Sequence, residues 1–113
     1  MNTKTQGAIG VGRAIAHYTG LGYPVFIPVS DISRYDFVVD IDGILQRVEV
    51  KTTRSVTNEV QLRTLGGNQS WNRVIKRLSK DDCDLVYLVN INNDVEREFK
   101  VEDLAGRSTI ALV

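Results

Sequence analysis

Residues 33–53 read SRYDFVVDIDGILQRVEVKTT, and this stretch carries the strongest structural signal in the chain. Two strand-like runs, Tyr35 to Asp40 and Ile44 to Thr53, flank the dipeptide Asp42-Gly43, which is favoured in tight hairpin turns. The pattern therefore predicts a β-hairpin. Glu49 and Lys51 lie among valines in its second strand, so the hairpin is either a strand with scattered surface charge or a functional site.

The patterns around the hairpin predict further elements. Residues 5–19 have the spacing of a helix, and Gly20 occupies the position of a left-handed C-terminal cap. Gly7, Gly10 and Gly12 would each cost about 1 kcal/mol inside that helix, which either close packing against a sheet or the approach of a phosphate to the start of the helix would explain. The other expected elements are strands over 23–28 and 59–64, an amphipathic helix over 68–80, and strands over 85–91, 95–101 and 109–113.

This order of elements predicts the fold class. We expect an α/β (α+β) fold in which a central mixed β-sheet is flanked by helices. With 113 residues, of which 42% are hydrophobic, the chain is long enough for one domain over residues 1–113.

Charge and composition exclude several classes of function. The formal net charge is zero, which disfavours a general nucleic-acid coat protein. Cys83 and His17 are the only residues of their types, so a disulfide framework, a thiolate zinc site and most histidine-based metal sites are excluded. No run has the character of a signal peptide or a membrane span. We therefore expect an intracellular protein, cytoplasmic or nucleoid-associated, that is not secreted and has no membrane partner.

Strand geometry brings three charged residues of the hairpin together. Alternation places Glu49 and Lys51 on one face of their strand, about 7 Å apart at the Cα atoms. A hairpin that turns at 42–43 brings Asp36 close to Glu49. The two carboxylates then converge on one point, with Lys51 one step further along the strand.

Such a group has a recognised chemistry. Two carboxylates and water molecules suit Mg²⁺, and a neighbouring lysine can stabilise developing negative charge or orient an attacking water. Together they favour metal-assisted phosphodiester hydrolysis. The spacing alone fits equally well a solvated strand with a cross-strand ion pair, which would stabilise the fold little.

The motif resembles that of a known family. Asp36, twelve further residues and then Glu49-Val50-Lys51 are similar to the D-x(n)-E-x-K signature of the PD-(D/E)XK nuclease superfamily. SRYDFVVD, LQRVEVKTT, the Q-G-x-x-G helix and the closing KVEDLAGRSTIALV resemble one branch, the small endonucleases that include a cyanobacterial group I intron-encoded homing endonuclease. The likeness runs from about residue 4 to residue 112. Archaeal Holliday junction resolvases are similar only through the helix and the hairpin.

The resemblance implies a fold, an activity and a site. It implies a restriction-endonuclease-like core and an Mg²⁺-dependent endonuclease of double-stranded DNA, in which Mn²⁺ can replace Mg²⁺. By position, Asp36 and Glu49 would be catalytic metal ligands, Lys51 the catalytic lysine, and the carbonyl of Val50 a further metal ligand. Ser33 and Arg34 match the branch motif and are expected to orient Asp36 or to meet the scissile phosphate.

The first helix departs from the family pattern. Members of the family often carry a glutamate there, at the position that Val11 occupies in this chain. The resemblance leaves open whether the site holds a second metal and whether Gln6 takes over part of that role.

Basic residues outside the hairpin are candidates for DNA binding. In a helix over 68–80, Arg73, Lys76, Arg77 and Lys80 would form one stripe, either as a solvated face or as a track for DNA phosphates. Arg54 and Arg63 flank predicted strands and are further candidates for the same surface.

The size of the chain predicts an oligomer, and two other functions remain open. One small domain contacts little DNA, so we expect a homodimer or homotetramer that places active sites on both strands. The alternatives are a Holliday junction resolvase-like nuclease, which reads the shape of branched DNA, and a catalytically silent DNA-binding module on the same scaffold.

Overall fold

A computed structural model describes residues 1–66, 74–104 and 106–112, with the backbone alone for 63–66 and 74–77. Its elements are α1 (Thr3–Gly20), β1 (Val25–Phe26), β2 (Phe37–Ile41), β3 (Ile44–Thr53), β4 (Glu59–Gln61), β5 (Arg63–Gly66), β6 (Val74–Arg77), β7 (Leu85–Asn90), β8 (Val95–Lys100), a 3₁₀ turn (Val101–Leu104) and β9 (Thr109–Ala111). Within the described residues, no helix combines the length and the apolar character needed to cross a membrane.

A five-stranded sheet forms the centre of the fold. Its strand order is β1-β2-β3-β7-β8. Strands β3 and β7 are parallel, whereas the other neighbours are antiparallel. All six residues of β7 are buried, as expected for a strand covered on both faces. The predicted fold class, a mixed sheet in an α+β arrangement, is confirmed.

The hairpin of β2 and β3 has the predicted register. Pairing runs from Ile41 opposite Ile44 to Phe37 opposite Val48. Asp42 and Gly43 have φ angles of 54° and 89°, the conformation of a tight hairpin turn. The Asp40 carboxylate accepts a hydrogen bond from the N–H of Gly43 over 2.7 Å, which stabilises the turn.

Helix α1 covers one face of the sheet. Asn2 caps its start by accepting a hydrogen bond from the N–H of Thr5 over 2.8 Å. Gly20 is still helical and the left-handed residue is Gly22, with φ 87°, so the cap lies two residues later than predicted. The helix and the sheet bury a core between them that consists of Ala14, Tyr18, Phe37, Val39, Val48, Val50, Leu85, Tyr87 and Val89.

The other face of the sheet carries a second core. It contains Val60, Leu62, Leu78, Cys83, Val86, Leu88, Val101, Leu104 and Leu112. In the described part of the chain, this face is covered by the two-stranded sheet of β4 and β9 and by the 3₁₀ turn, where the sequence predicted a second helix.

The helix predicted over 68–80 is wrong for residues 74–77. These residues form β6, which pairs antiparallel with β5, Arg63 opposite Arg77. Val74 and Ile75 are β-branched and fit a strand well, and pairing with β5 overrides the helical spacing of the apolar residues. Residues 67–73, with Trp71 and Arg73, lie outside the described residues. The proposed stripe of Arg73, Lys76, Arg77 and Lys80 required helical geometry through 74–77, so it does not form.

The glycines of α1 differ in their surroundings, and only Gly10 needs to be glycine. A Cβ atom at Gly10 would lie 1.9 Å from Oγ1 and 3.0 Å from Cβ of Thr52, on β3, whereas a Cβ at Gly12 would meet nothing within 4 Å. Gly10 therefore allows the helix to approach β3 closely.

We expect Gly10→Ala to lower the free energy of unfolding by about 1–3 kcal/mol, because the added methyl group forces helix and strand apart. Gly12→Ala is the matched control and should raise the free energy of unfolding by up to about 1 kcal/mol through helix propensity. Urea denaturation measures both. Equal stability of the two variants would contradict the close contact at Thr52.

Candidate active site

The candidate site lies where β3 extends beyond its hairpin partner. The carbonyls of Arg47 and Thr53 accept hydrogen bonds from the N–H groups of Asp84 and Ile91, at 2.9 and 3.0 Å. Backbone groups alternate in direction along a strand, so the odd-numbered residues of β3 bond towards β7 and the even-numbered ones point to the other edge. Since β2 begins only at Phe37, this edge has no strand partner beyond Val48 among the described residues.

Residues outside β2 make hydrogen bonds to part of this edge. The N–H of Asp36 donates to the carbonyl of Val48 over 2.8 Å, and the N–H of Val50 donates to the Asp36 carboxylate over 2.7 Å. Further along, Nε2 of Gln6, on α1, donates to the carbonyl of Thr52 over 3.1 Å. The carbonyl of Val50 points to the same edge between these two contacts.

Asp36 and Glu49 meet at this edge. Burial, followed by the hydrogen bond and the charge of Asp36, raises the pKa of Glu49 to about 9. Lys51 and the N–H of Val50 act in the opposite direction but are weaker. A cation bound between the two carboxyl groups would offset the negative charge of Asp36, which is one cause of the raised pKa of Glu49.

Lys51 completes the group. Glu49 and Lys51 pair with Val86 and Leu88 of β7, and they share the sheet face that lies opposite α1. Lys51 is half-buried, and within the described residues its amino group has neither a hydrogen bond nor an ion pair. Its charge is therefore available to an anionic substrate.

The donor atoms fit a hard divalent cation. Two carboxylates and one carbonyl are oxygen ligands of the kind that Mg²⁺ and Mn²⁺ accept, with water and substrate phosphate completing the coordination. Across residues 1–66, 74–104 and 106–112, no three His, Cys, Asp or Glu side chains converge on one point.

The first helix contributes an amide instead of a carboxylate. Val11 is partly buried and packs against the core beneath α1, so it supplies no ligand. Gln6 is the side chain of α1 that hydrogen-bonds to β3 near Lys51. It holds the peptide between Thr52 and Thr53, and this is its one hydrogen bond to β3 among the described residues.

The remaining predicted site residues are more dispersed. The side chain of Arg34 is 64% exposed and lies 3.5 Å from the carboxylate of the buried Asp82. Ser33 is half-buried. Arg54 is exposed and donates to the carbonyl of Met1 over 3.4 Å. Lys76 and Arg77 belong to β6, and Arg73 lies outside the described residues.

An ion pair that the sequence did not reveal holds β3 in place. Nε and Nη2 of Arg47 donate to the Asp84 carboxylate over 3.0 and 3.1 Å. These bonds lower the pKa of Asp84. The Arg47 guanidinium also donates to the carbonyl of Lys80 over 2.7 Å. The pair fixes β3 against the start of β7, and local periodicity offers no signal for a contact between residues this far apart in sequence.

The sequence also gave no indication of a cleft near the candidate site. It opens beside the end of β3, has a volume of about 420 Å³, and is lined by Thr52, Thr53, Glu59, Gln61 and Thr109.

Comparisons with known proteins agree with this geometry. A family model described as PD-(D/E)XK endonuclease matches residues 1–110. Among solved structures, the bacterial homing endonuclease I-Ssp6803I is similar, with a TM-score of 0.83 and 29% sequence identity over 100% of this chain and 79% of that one. No curated protein matches the sequence.

Proposed function

This chain belongs to the PD-(D/E)XK endonuclease family, and on that premise we propose that it is an Mg²⁺-dependent endonuclease of double-stranded DNA, similar to homing endonucleases. The observation that carries the proposal is the meeting of Asp36 and Glu49 at the free edge of β3, next to Lys51. The similarity to a homing endonuclease over the whole chain supports DNA as the substrate.

Each residue of the site has a defined part in this proposal. Asp36, Glu49 and the Val50 carbonyl would hold the cation, and the N–H of Val50 keeps the Asp36 carboxylate in place. A divalent cation at this position supplies Lewis acidity for phosphodiester hydrolysis. Lys51 places a positive charge where the phosphate gains negative charge in the transition state. We further propose that six residues contact DNA phosphates outside the reacting group: Ser33, Arg34, Arg54, Arg73, Lys76 and Arg77.

Cleavage of DNA tests the proposal directly. Supercoiled plasmid, a linear duplex library and a four-way junction are each incubated with the protein in Mg²⁺, Mn²⁺ or EDTA. We expect nicked and linear plasmid and cut duplex with either metal, and intact DNA in EDTA. Intact DNA under every condition would contradict a nuclease, and cleavage of the junction alone would make it a structure-selective resolvase.

We also propose that the protein acts as a homodimer or homotetramer. A two-fold assembly places one site on each DNA strand and doubles the length of DNA contacted. Light scattering at micromolar concentration should give at least twice the chain mass of 12.6 kDa. A monomer both with and without DNA would contradict this proposal.

A further inference from the structure

The two-stranded sheet of β4 and β9 has one buried and one exposed face. Gln61 pairs with Thr109, Val60 with Ile110, and Glu59 with Ala111. Val60 is 2% exposed and belongs to the second core, which Ile110 packs against. The side chains that alternate with them, Glu59, Gln61, Thr109 and Ala111, are exposed. The ribbon is thus anchored below and presents four side chains above.

This ribbon borders the candidate active site. Glu59, Gln61 and Thr109 form one wall of the cleft of about 420 Å³, and Thr52 and Thr53 of β3 form the other. Thr53 follows Lys51 by two residues on the same face of β3, which is about 7 Å. A duplex with its phosphate at Lys51 would therefore extend along this cleft and meet the exposed face of the ribbon.

The chemistry of the exposed face differs from that of a phosphate-binding surface. Among the described side chains, neither the lining of the cleft nor the four exposed residues of the ribbon include a lysine or an arginine. They offer an amide, hydroxyl groups, a carboxylate and a methyl group. These are the groups that read base edges: Gln pairs with adenine, a carboxylate accepts from cytosine, and Thr and Ala methyl groups contact the thymine methyl group.

The fold does not use these polar groups itself. In the part of the chain that the structure describes, the side chains of Gln61 and Thr109 make no hydrogen bond. Glu59 has one long contact, 3.4 Å from Oγ1 of Thr57. A two-stranded antiparallel ribbon also has the width that the major groove of B-DNA admits.

We propose that the β4–β9 ribbon enters the major groove beside the cleavage site and reads base edges there, with Gln61 and Thr109 as specificity-determining residues. The inference rests on the proposed action on duplex DNA. It adds the location of sequence recognition, which is separate from the metal site.

Selection of bound DNA tests the ribbon without relying on cleavage. The wild-type protein and the double variant Gln61→Ala/Thr109→Ala each select from a randomised duplex library in Ca²⁺, and the bound fraction is sequenced. The matched control is Gln46→Ala/Thr19→Ala, which removes the same groups from β3 near the hairpin turn and from the end of α1. A urea denaturation curve for each protein verifies that it is folded.

We expect the wild-type protein and the control to share a sequence preference. The ribbon variant should lose discrimination at two or three adjacent base pairs, by roughly five- to 100-fold, the range for one or two base contacts. The salt dependence of its binding should stay the same because no cation is removed.

Each outcome decides the inference. An unchanged preference in the ribbon variant, or no preference in the wild type, overturns it, even if the wild type cuts DNA in Mg²⁺. A preference that the ribbon variant loses supports it, even if the wild type never cuts, in which case the nuclease proposal fails alone.

Discussion

Lys51→Ala should reduce DNA cleavage by about a hundred- to a thousandfold or more while leaving DNA binding nearly intact. Lys51 has no hydrogen bond or ion pair among the described residues, and it lies on the face of β3 that carries Glu49, whose pKa its charge lowers. Its charge is therefore available to stabilise the transition state, and the loss of one such group typically has an effect of this size. Single-turnover cleavage of a labelled duplex measures the rate, and a filter-binding assay in Ca²⁺ measures the affinity.

Lys100→Ala is the matched control. Replacing Lys100 changes the net charge by the same amount as replacing Lys51. Lys100 is exposed on the edge strand β8. The control should cut DNA at the wild-type rate. If Lys51→Ala also cuts at the wild-type rate, or if both variants lose DNA affinity equally, Lys51 has no catalytic part.

Glu49→Gln should abolish cleavage and at the same time stabilise the metal-free protein at pH 8. The variant lacks one anionic ligand, so the cation is held weakly. In the metal-free wild type, burial against Asp36 raises the pKa of Glu49 to about 9, so at pH 8 folding takes up a proton that the unfolded chain has released, and this lowers the free energy of unfolding. A neutral amide removes that cost. Thermal denaturation in EDTA measures the stability of the metal-free protein, and thermal denaturation in Mg²⁺ measures the stabilisation by the bound cation.

The raised pKa of Glu49 predicts how the free energy of unfolding of the metal-free protein changes with pH. The pKa of Glu49 is 4.5 without the influence of the fold and about 9 in the folded protein. Between these values the folded state binds a proton that the unfolded chain has released, so the stability of the metal-free wild type falls as pH rises from about 5 to 9, with a slope of at most about 1.4 kcal/mol per pH unit. Glu49→Gln should show no such fall from this group, and its advantage should vanish near pH 5.

Mg²⁺ should reverse the order of the two proteins. A ligand that binds only the folded state stabilises it, so the wild type should gain melting temperature in Mg²⁺ at pH 8 and the variant should not. Glu102→Gln serves as the control because Glu102 lies at the surface in a pair with Lys80 at 3.3 Å, which contributes little. If the wild type is more stable than Glu49→Gln at pH 8 in EDTA, the two carboxyl groups do not meet as described.

The sequence predicted most of the hairpin because its signals are local. Asp42-Gly43 defines a turn of two residues, and from that turn the register follows by counting, which places Asp36 next to Glu49. The signal for β7 is equally local, since an unbroken run of apolar residues indicates a strand that is buried on both faces.

The same reasoning failed for residues 74–77. Val74, Ile75 and Leu78 satisfy helical spacing, but two β-branched neighbours also satisfy a strand, and pairing with β5 decided between them. Position 11 also shows what cannot be predicted from the sequence. The sequence revealed that a carboxylate is absent there, whereas the contact from Gln6 to the carbonyl of Thr52 required the packing of α1 on β3.

The sequence by itself therefore determined which three charged residues, Asp36, Glu49 and Lys51, the hairpin brings together, because turn chemistry and strand alternation act over a few residues. Only the tertiary structure decided that β2 does not pair with β3 beyond Val48, that burial against Asp36 raises the pKa of Glu49, and that β4 and β9 form a ribbon beside the site. Each of these depends on contacts between segments remote in the chain, whose geometry comes from burying two cores on opposite faces of one sheet.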